Sequence, residues 1–128
     1  ALGGLDVRVM VPKMSDSRSV TYAARSYFDE LLAANVKVYE YGPRMLHSKA
    51  LLVDDDFAMI GSANFDHRSF RLNFEASLLF DDPTVAAELA QVIEREFAAA
   101  PRVRDDRARP LLASRLPEAL ARLMAPLL

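Results

Sequence analysis

Apolar and polar residues alternate from Leu5 to Val11, with Leu5, Val7, Val9 and Val11 on one parity, and period two predicts a strand that Pro12 ends. A polar loop follows from Met14 to Ser19, in which Ser15, Asp16 and Ser17 are candidate helix caps or residues edging a site. From Val20 to Ala34 the spacing becomes helical, with Ala23, Ala24, Tyr27, Phe28, Leu31 and Leu32 on one face and Asn35 as the stop. Val36 to Tyr41 predicts a short strand and Gly42-Pro43 a turn. His47 to Val53 and Phe57 to Ile60 predict a hairpin turning through Asp54-Asp55-Asp56. A glycine-led polar loop with room for one helical turn runs from Gly61 to Arg71. A strand is expected over Phe74 to Phe80, and a helix from Asp82-Pro83 to about Ala100. Beyond Pro101, Leu116, Leu120, Leu123 and Met124 form an amphipathic stripe among Pro110, Pro117 and Pro126.

This order predicts the α/β class: a mixed sheet flanked by helices. Two regions are expected: a half-domain over residues 1–100 and a basic amphipathic tail over 101–128. The tail holds six arginines against three acidic residues, net +3, while the rest of the chain carries −5. Its stripe suits either an anionic bilayer or a helix packed on the chain's own core.

Bulk properties narrow the function. With 128 residues, 52% of them hydrophobic, the chain is long enough for one small core. Net charge −2 and a pI near 5.7 count against a dedicated nucleic-acid binder. Without cysteine there are no disulfides or thiolate metal sites. No apolar run is long enough to span a bilayer, and no leader peptide is visible. Ala1-Leu2-Gly3-Gly4 reads as the glycine-closed end of a helix, so the chain is expected to be a soluble piece of a longer protein.

The chemistry concentrates between His47 and Asn64. His47 and Lys49 stand two apart on a strand, so both side chains leave one face. The returning strand delivers Gly61, Ser62 and Asn64. An imidazole, an ammonium, a hydroxyl and an amide together suit a phosphodiester. Lys49 offsets the charge of the non-bridging oxygens, and Asn64 and Ser62 donate hydrogen bonds to them. Gly61 lets backbone and ligand approach closely, and His47 attacks phosphorus or passes a proton.

The pattern His47-x-Lys49, four residues, Asp54, six residues, Gly61-Ser62-x-Asn64 resembles the HKD signature of the phospholipase D superfamily. Asn64-Phe65-Asp66-x-Arg68-Ser69, Leu72-Asn73-Phe74-Glu75 and the Pro126-Leu127-Leu128 ending are similar to the bacterial cardiolipin synthase branch. The resemblance covers nearly the whole chain, as the C-terminal half of a two-half enzyme with an α-β-α sandwich fold. It implies a metal-free, cofactor-free transfer of a phosphatidyl group. One histidine attacks phosphorus to form a phosphohistidine, and the other protonates the leaving alcohol. By that analogy His47 is the acid and then the base, and a missing N-terminal half or a second copy of the chain supplies the nucleophile.

Glu75 matches the carboxylate that fixes a catalytic histidine's tautomer. Asp54 differs in strand parity from His47 and Lys49, which points to a structural or supporting role. The implied partners are a phosphatidylglycerol-like lipid and a membrane surface, with the whole protein at the bacterial inner membrane on a face left open. Two alternatives stand beside this: a phosphodiesterase or nuclease built from two single-motif chains, and a non-catalytic half that scaffolds its partner. His67 lies outside the signature and is expected at the surface, Arg68 in a structural ion pair, and the acidic run at residues 54–56 in a turn and not a cation site.

Overall fold

The computed structural model describes every residue but Pro43, Asp55 and Leu128, and every described side chain but those of His67 and Leu127. The expected Gly42-Pro43 turn, the role of Asp55, the surface position of the His67 side chain and the Leu127-Leu128 ending therefore lie outside the described residues. The chain forms two compact units, Ala1–Leu46 with Ala100–Leu128, and His47–Ala99.

In the first unit, β1 (Arg8–Pro12) pairs in parallel with β2 (Lys37–Tyr41), with Val9 opposite Val38. The strand begins later than its alternation suggests. Pairing starts where Arg8 meets Lys37, and Leu5 stays exposed. The crossover is two helices, α1 (Arg18–Ser26) and α2 (Phe28–Ala33), where periodicity alone predicts one. The break falls at Tyr27, beside Ser26, whose hydroxyl donates back to Ala23 O at 2.6 Å and competes with the helix ladder.

Helix α2 ends at the predicted place. Asn35 adopts φ 63°, its N–H donates to Leu32 O, and Val36 N–H donates to Leu31 O, which closes a Schellman turn. That turn sends Val36 into the core with Phe28, Val38 and Val103, against Val7, Val9, Val11, Leu31 and Leu32.

The C-terminal residues join this unit. Val103 N–H donates to Val38 O, Glu40 N–H donates to Pro101 O, and Arg102 bridges Tyr39 antiparallel. Arg107 and Arg109 both pair with Asp29, and Arg109 also pairs with the buried Glu118. Helix α5 (Leu116–Met124) packs on α1, with Ala23 and Ala121 buried, and Arg122 stacks 4.4 Å over the Tyr27 ring. Its apolar stripe is left outward: Leu116, Leu120, Leu123 and Met124 are all exposed.

The second unit is an antiparallel meander of β3 (Lys49–Val53), β4 (Phe57–Gly61) and β5 (Ser77–Asp81), followed by α4 (Pro83–Ala99). The hairpin forms as predicted, though β3 starts at Lys49 and not at His47, and its register sets Lys49 opposite Gly61 and Val53 opposite Phe57. The predicted strand over Phe74 to Phe80 starts at Ser77, because Asn73 to Ala76 are occupied by side-chain bonds to Ser62 and Glu75. Asp82 caps α4 by accepting from Thr84 N–H at 2.8 Å, and Pro83 opens it. Helix α4 packs on the meander, burying Ala58 and Ala86 completely. The helical turn anticipated after Gly61 is α3 (His67–Arg71), capped by Asp66, which accepts from Ser69 N–H at 2.7 Å. Parallel and antiparallel pairing both occur, as a mixed sheet requires, but in two open sheets of two and three strands.

Candidate active site

The site gathers at one end of the meander. Lys49, Gly61 and Ser77 lie side by side in register, and the chain beyond each carries the remaining groups. His47 precedes β3 by two residues. Lys49 Nζ lies 3.0 Å from His47 Nε2 and donates to His47 O at 3.0 Å, so the pair predicted to share a face meets directly. An ammonium has no acceptor. Nε2 is therefore the acceptor in this contact and holds its lone pair outside the ring.

Ser62 follows β4. Its N–H donates to Ala76 O at 3.0 Å, and its hydroxyl accepts from Ala76 N–H at 3.0 Å while donating to Glu75 Oε2 at 2.5 Å. Asn73 Nδ2 donates to the other Glu75 oxygen at 3.2 Å. The hydrogen bond from Ser62 above all, then those from Asn73 and Ser69, with the Lys49 charge nearby, hold the Glu75 carboxyl below the usual carboxylate range against some desolvation. Glu75 thus stays ionised next to the cation, and its hydrogen bonds run to Ser62 and Asn73, where the sequence suggests a bond to His47. His47 has Lys49 as its ring partner instead.

Asn64 N–H donates to Ser69 Oγ at 3.1 Å, while its exposed side-chain amide makes no hydrogen bond among the described residues. The amide is open to a ligand. Gly61 is glycine because β5 comes too close for a side chain. A Cβ there would lie 2.9 Å from Ala76 O and 3.0 Å from Ser77 Cβ, besides colliding with Ser77 Oγ. The close approach expected of Gly61 is thus made by a neighbouring strand.

Asp54 stands apart. It follows the last residue of β3 in the turn, at φ 50°. At roughly 3.3 Å per strand residue it lies roughly 16 Å along the hairpin from Lys49. The structure brings His47, Lys49, Ser62, Asn64 and Glu75 to one end and leaves Asp54 at the other. Arg68 forms no ion pair among the described residues, contrary to its expected role. Ser69 went unnoticed as a site residue. It is buried at 8% exposure, accepts from the Asn64 N–H and helps lower the Glu75 carboxyl pKa. Asp66-x-x-Ser69 has capping spacing, the one local signal for it. No group of three His, Cys, Asp or Glu among the described residues could hold a metal ion.

The family model described as "Cardiolipin synthase, PLD-like domain" matches residues 1–99. Cardiolipin synthase 2 of Bacillus anthracis is 45% identical over 129 aligned positions, covering all of this chain and 25% of its own length. A cardiolipin synthase of Geobacillus sp. (strain WCH70) is also 45% identical, over 26% of its length. This chain therefore spans about a quarter of the length of the relatives it matches. Among solved structures, Nuc, a phospholipase D family member from Salmonella typhimurium, superposes with a TM-score of 0.66 at 19% identity, covering 80% of this chain and 66% of that one. The α/β fold is that of this neighbour.

Proposed function

The chain belongs to the cardiolipin synthase, PLD-like domain family, and from that premise we propose that it supplies one half of a phosphatidyl-transfer site. The observation that carries the reading is the 3.0 Å contact between His47 Nε2 and Lys49 Nζ, at the sheet end that also holds Ser62, Asn64 and Glu75. In the reaction, a histidine from the other half attacks phosphorus of a phosphatidylglycerol-like lipid. The phosphorus–oxygen bond to the leaving glycerol breaks, and protonated His47 gives that oxygen its proton. The hydroxyl of a second lipid then attacks the phosphohistidine. His47 takes its proton, the phosphorus–nitrogen bond breaks, and a doubly phosphorylated lipid forms.

Lys49 and the Asn64 amide face the non-bridging oxygens and stabilise the charge that grows on them. Glu75 keeps the Ser62 hydroxyl oriented and balances Lys49. The acid step requires His47 to carry a proton on Nε2, where it cannot also accept from Lys49. Lys49 must then turn from the imidazole to the phosphate, so substrate binding itself frees the nitrogen for its proton. Asp54 supports the turn and takes no part in the chemistry.

The other half is the remainder of a longer protein carrying a second HKD motif, or a second copy of this chain. No helix among the described residues is long and apolar enough to cross a membrane. The outward stripe of α5, with Arg115 at its start, suits contact with an anionic bilayer and supports a reading of the whole protein as one of the bacterial inner membrane. The test is His47→Ala in the full-length protein, incubated with phosphatidylglycerol, with lipid products identified by mass. Loss of the doubly phosphorylated product with the fold intact is expected. Undiminished transfer overturns the assignment, and diester hydrolysis without lipid transfer replaces it with the phosphodiesterase reading.

A further inference from the structure

We propose that a cavity in the first unit, between the end of β1 and the start of α1, binds the phosphate group of an anionic phospholipid headgroup. The cavity has a volume of about 370 Å³ and is lined by Lys13, Ser15, Arg18, Tyr22 and Arg25 among others, with no acidic residue in its wall. That volume falls at the lower end of small-molecule sites, the right scale for a headgroup. The three cations are not equivalent. Arg25 is already committed, donating from Nε to Glu40 at 2.9 Å and from Nη2 to Lys13 O at 3.1 Å, so it braces the loop that forms the wall. Lys13 and Arg18 form no ion pair among the described residues. Two uncompensated positive charges thus border one cavity.

The position of Arg18 makes the case specific. It is the first residue of α1, where the helix dipole disfavours a cation and favours a carboxylate. The first turn of α1 contains no acidic residue, and Ser17, at the N-cap, makes no side-chain cap bond because its hydroxyl pairs with Ser19 at 2.7 Å. The first backbone bond of the helix is donated by Thr21, so the amides before it lack intrahelical partners. An arginine and a lysine without ion pairs among the described residues therefore border a space whose wall holds no acidic side chain, the nearby carboxylates being bonded to Ser15 and Arg25. A bound phosphate resolves the conflict, held by the Arg18 fork and the Lys13 ammonium at the positive end of the helix. The exposed Met14 gives the cavity an apolar wall suited to the glycerol part of a lipid.

The phosphate site stands on the cavity; its assignment to a lipid rests on the proposed function. Equilibrium binding needs no turnover, so it separates the two. The 128-residue chain, labelled with ¹⁵N, would be titrated with dihexanoylphosphatidylglycerol and, separately, with inorganic phosphate. Saturable shifts of the Ser15, Arg18 and Tyr22 amides with the lipid are expected. Arg18→Glu should weaken that binding at least tenfold while leaving the thermal midpoint unchanged or raised, since it places an acid at a helix start. Lys13→Ala, an exposed change, provides a second variant should Arg18→Glu fold poorly. Binding that persists in His47→Ala protein whose full-length counterpart still transfers lipid would uphold this site while the His47 assignment fails. Saturation by inorganic phosphate alone overturns the lipid assignment. No saturable shift with either probe, or equal affinity in both variants, overturns the site.

Discussion

The two units differ in what they bury. The first encloses Phe28, Val36, Val38 and Val103 and is stitched by Arg107 and Arg109 to Asp29 and by Arg109 to Glu118. The second buries only small side chains fully, Ala58 and Ala86, and leaves Phe65, Phe74, Leu78 and Leu79 exposed. Yet the second holds His47, Lys49, Ser62, Asn64 and Glu75. The difference teaches that the apolar core and the candidate site fall in different parts of this chain. One unit carries the apolar burial, and the other gathers the polar groups of the candidate site at its sheet end.

That division can be broken or sharpened by substitution. His47→Ala should have the largest effect, lowering turnover of the full-length enzyme by about 10²–10⁴ while shifting stability by no more than about 0.5 kcal/mol. Parallel kinetics and urea unfolding would check both, and a large stability loss would erase the contrast between the units. Val38→Ala should do the reverse. Val38 is wholly buried between β1, α2 and the 101–103 bridge, so urea unfolding should show a loss of about 2–3 kcal/mol.

Gly61→Ala tests where the units' roles meet within one residue. Its Cβ would crowd Ala76 O and Ser77 Cβ, both on backbone-anchored positions of β5 or its approach. A cost of about 1–3 kcal/mol is expected, accompanied by a fall in activity, because Ser62 and Glu75 follow from that strand pairing. Normal activity in this variant would show that the register around Gly61 does not position the site.

The smallest effect is on pH dependence. The Glu75 carboxyl is held below its ordinary value of 4.5. A depressed acid contributes stability fully above its unfolded value, and that contribution disappears as pH falls through the folded value. Glu75→Gln should therefore lower the thermal midpoint at pH 7, and the gap to wild type should close below pH 4.5. A gap independent of pH would mean that the Glu75 charge does not support the site.

Much of the fold could be read along the chain, because local signals were strong there. Asn35 stopped α2 through its left-handed turn, Asp82-Pro83 opened α4, and the β3–β4 hairpin turned at the predicted place. The single helix expected over Val20 to Ala34 became two, since Ser26 bonds back to Ala23, a choice invisible to hydrophobic periodicity. The α5 stripe shows the same limit. Its spacing was right, but nothing in the spacing says which face meets α1, and Ala121 with Glu118 took that contact. The caps expected at Ser15 to Ser17 did not form, since those hydroxyls found Asp16 and Ser19.

Sequence by itself determined which groups could form the candidate site: the spacing from His47 to Asn64 singles them out, and two-residue spacing brings His47 and Lys49 into contact where the chain enters β3. Tertiary structure decided the rest. It separated Asp54 from the others by the length of the hairpin, turned Glu75 toward Ser62, Asn73 and Ser69, and buried Ser69 behind Asn64. It also left Lys13 and Arg18 facing an open cavity at a helix start. The physical reason is one of range. Dihedral preferences and side-chain period act over a few residues, whereas hydrogen-bond partners thirteen residues apart are chosen only after the strands between them have paired.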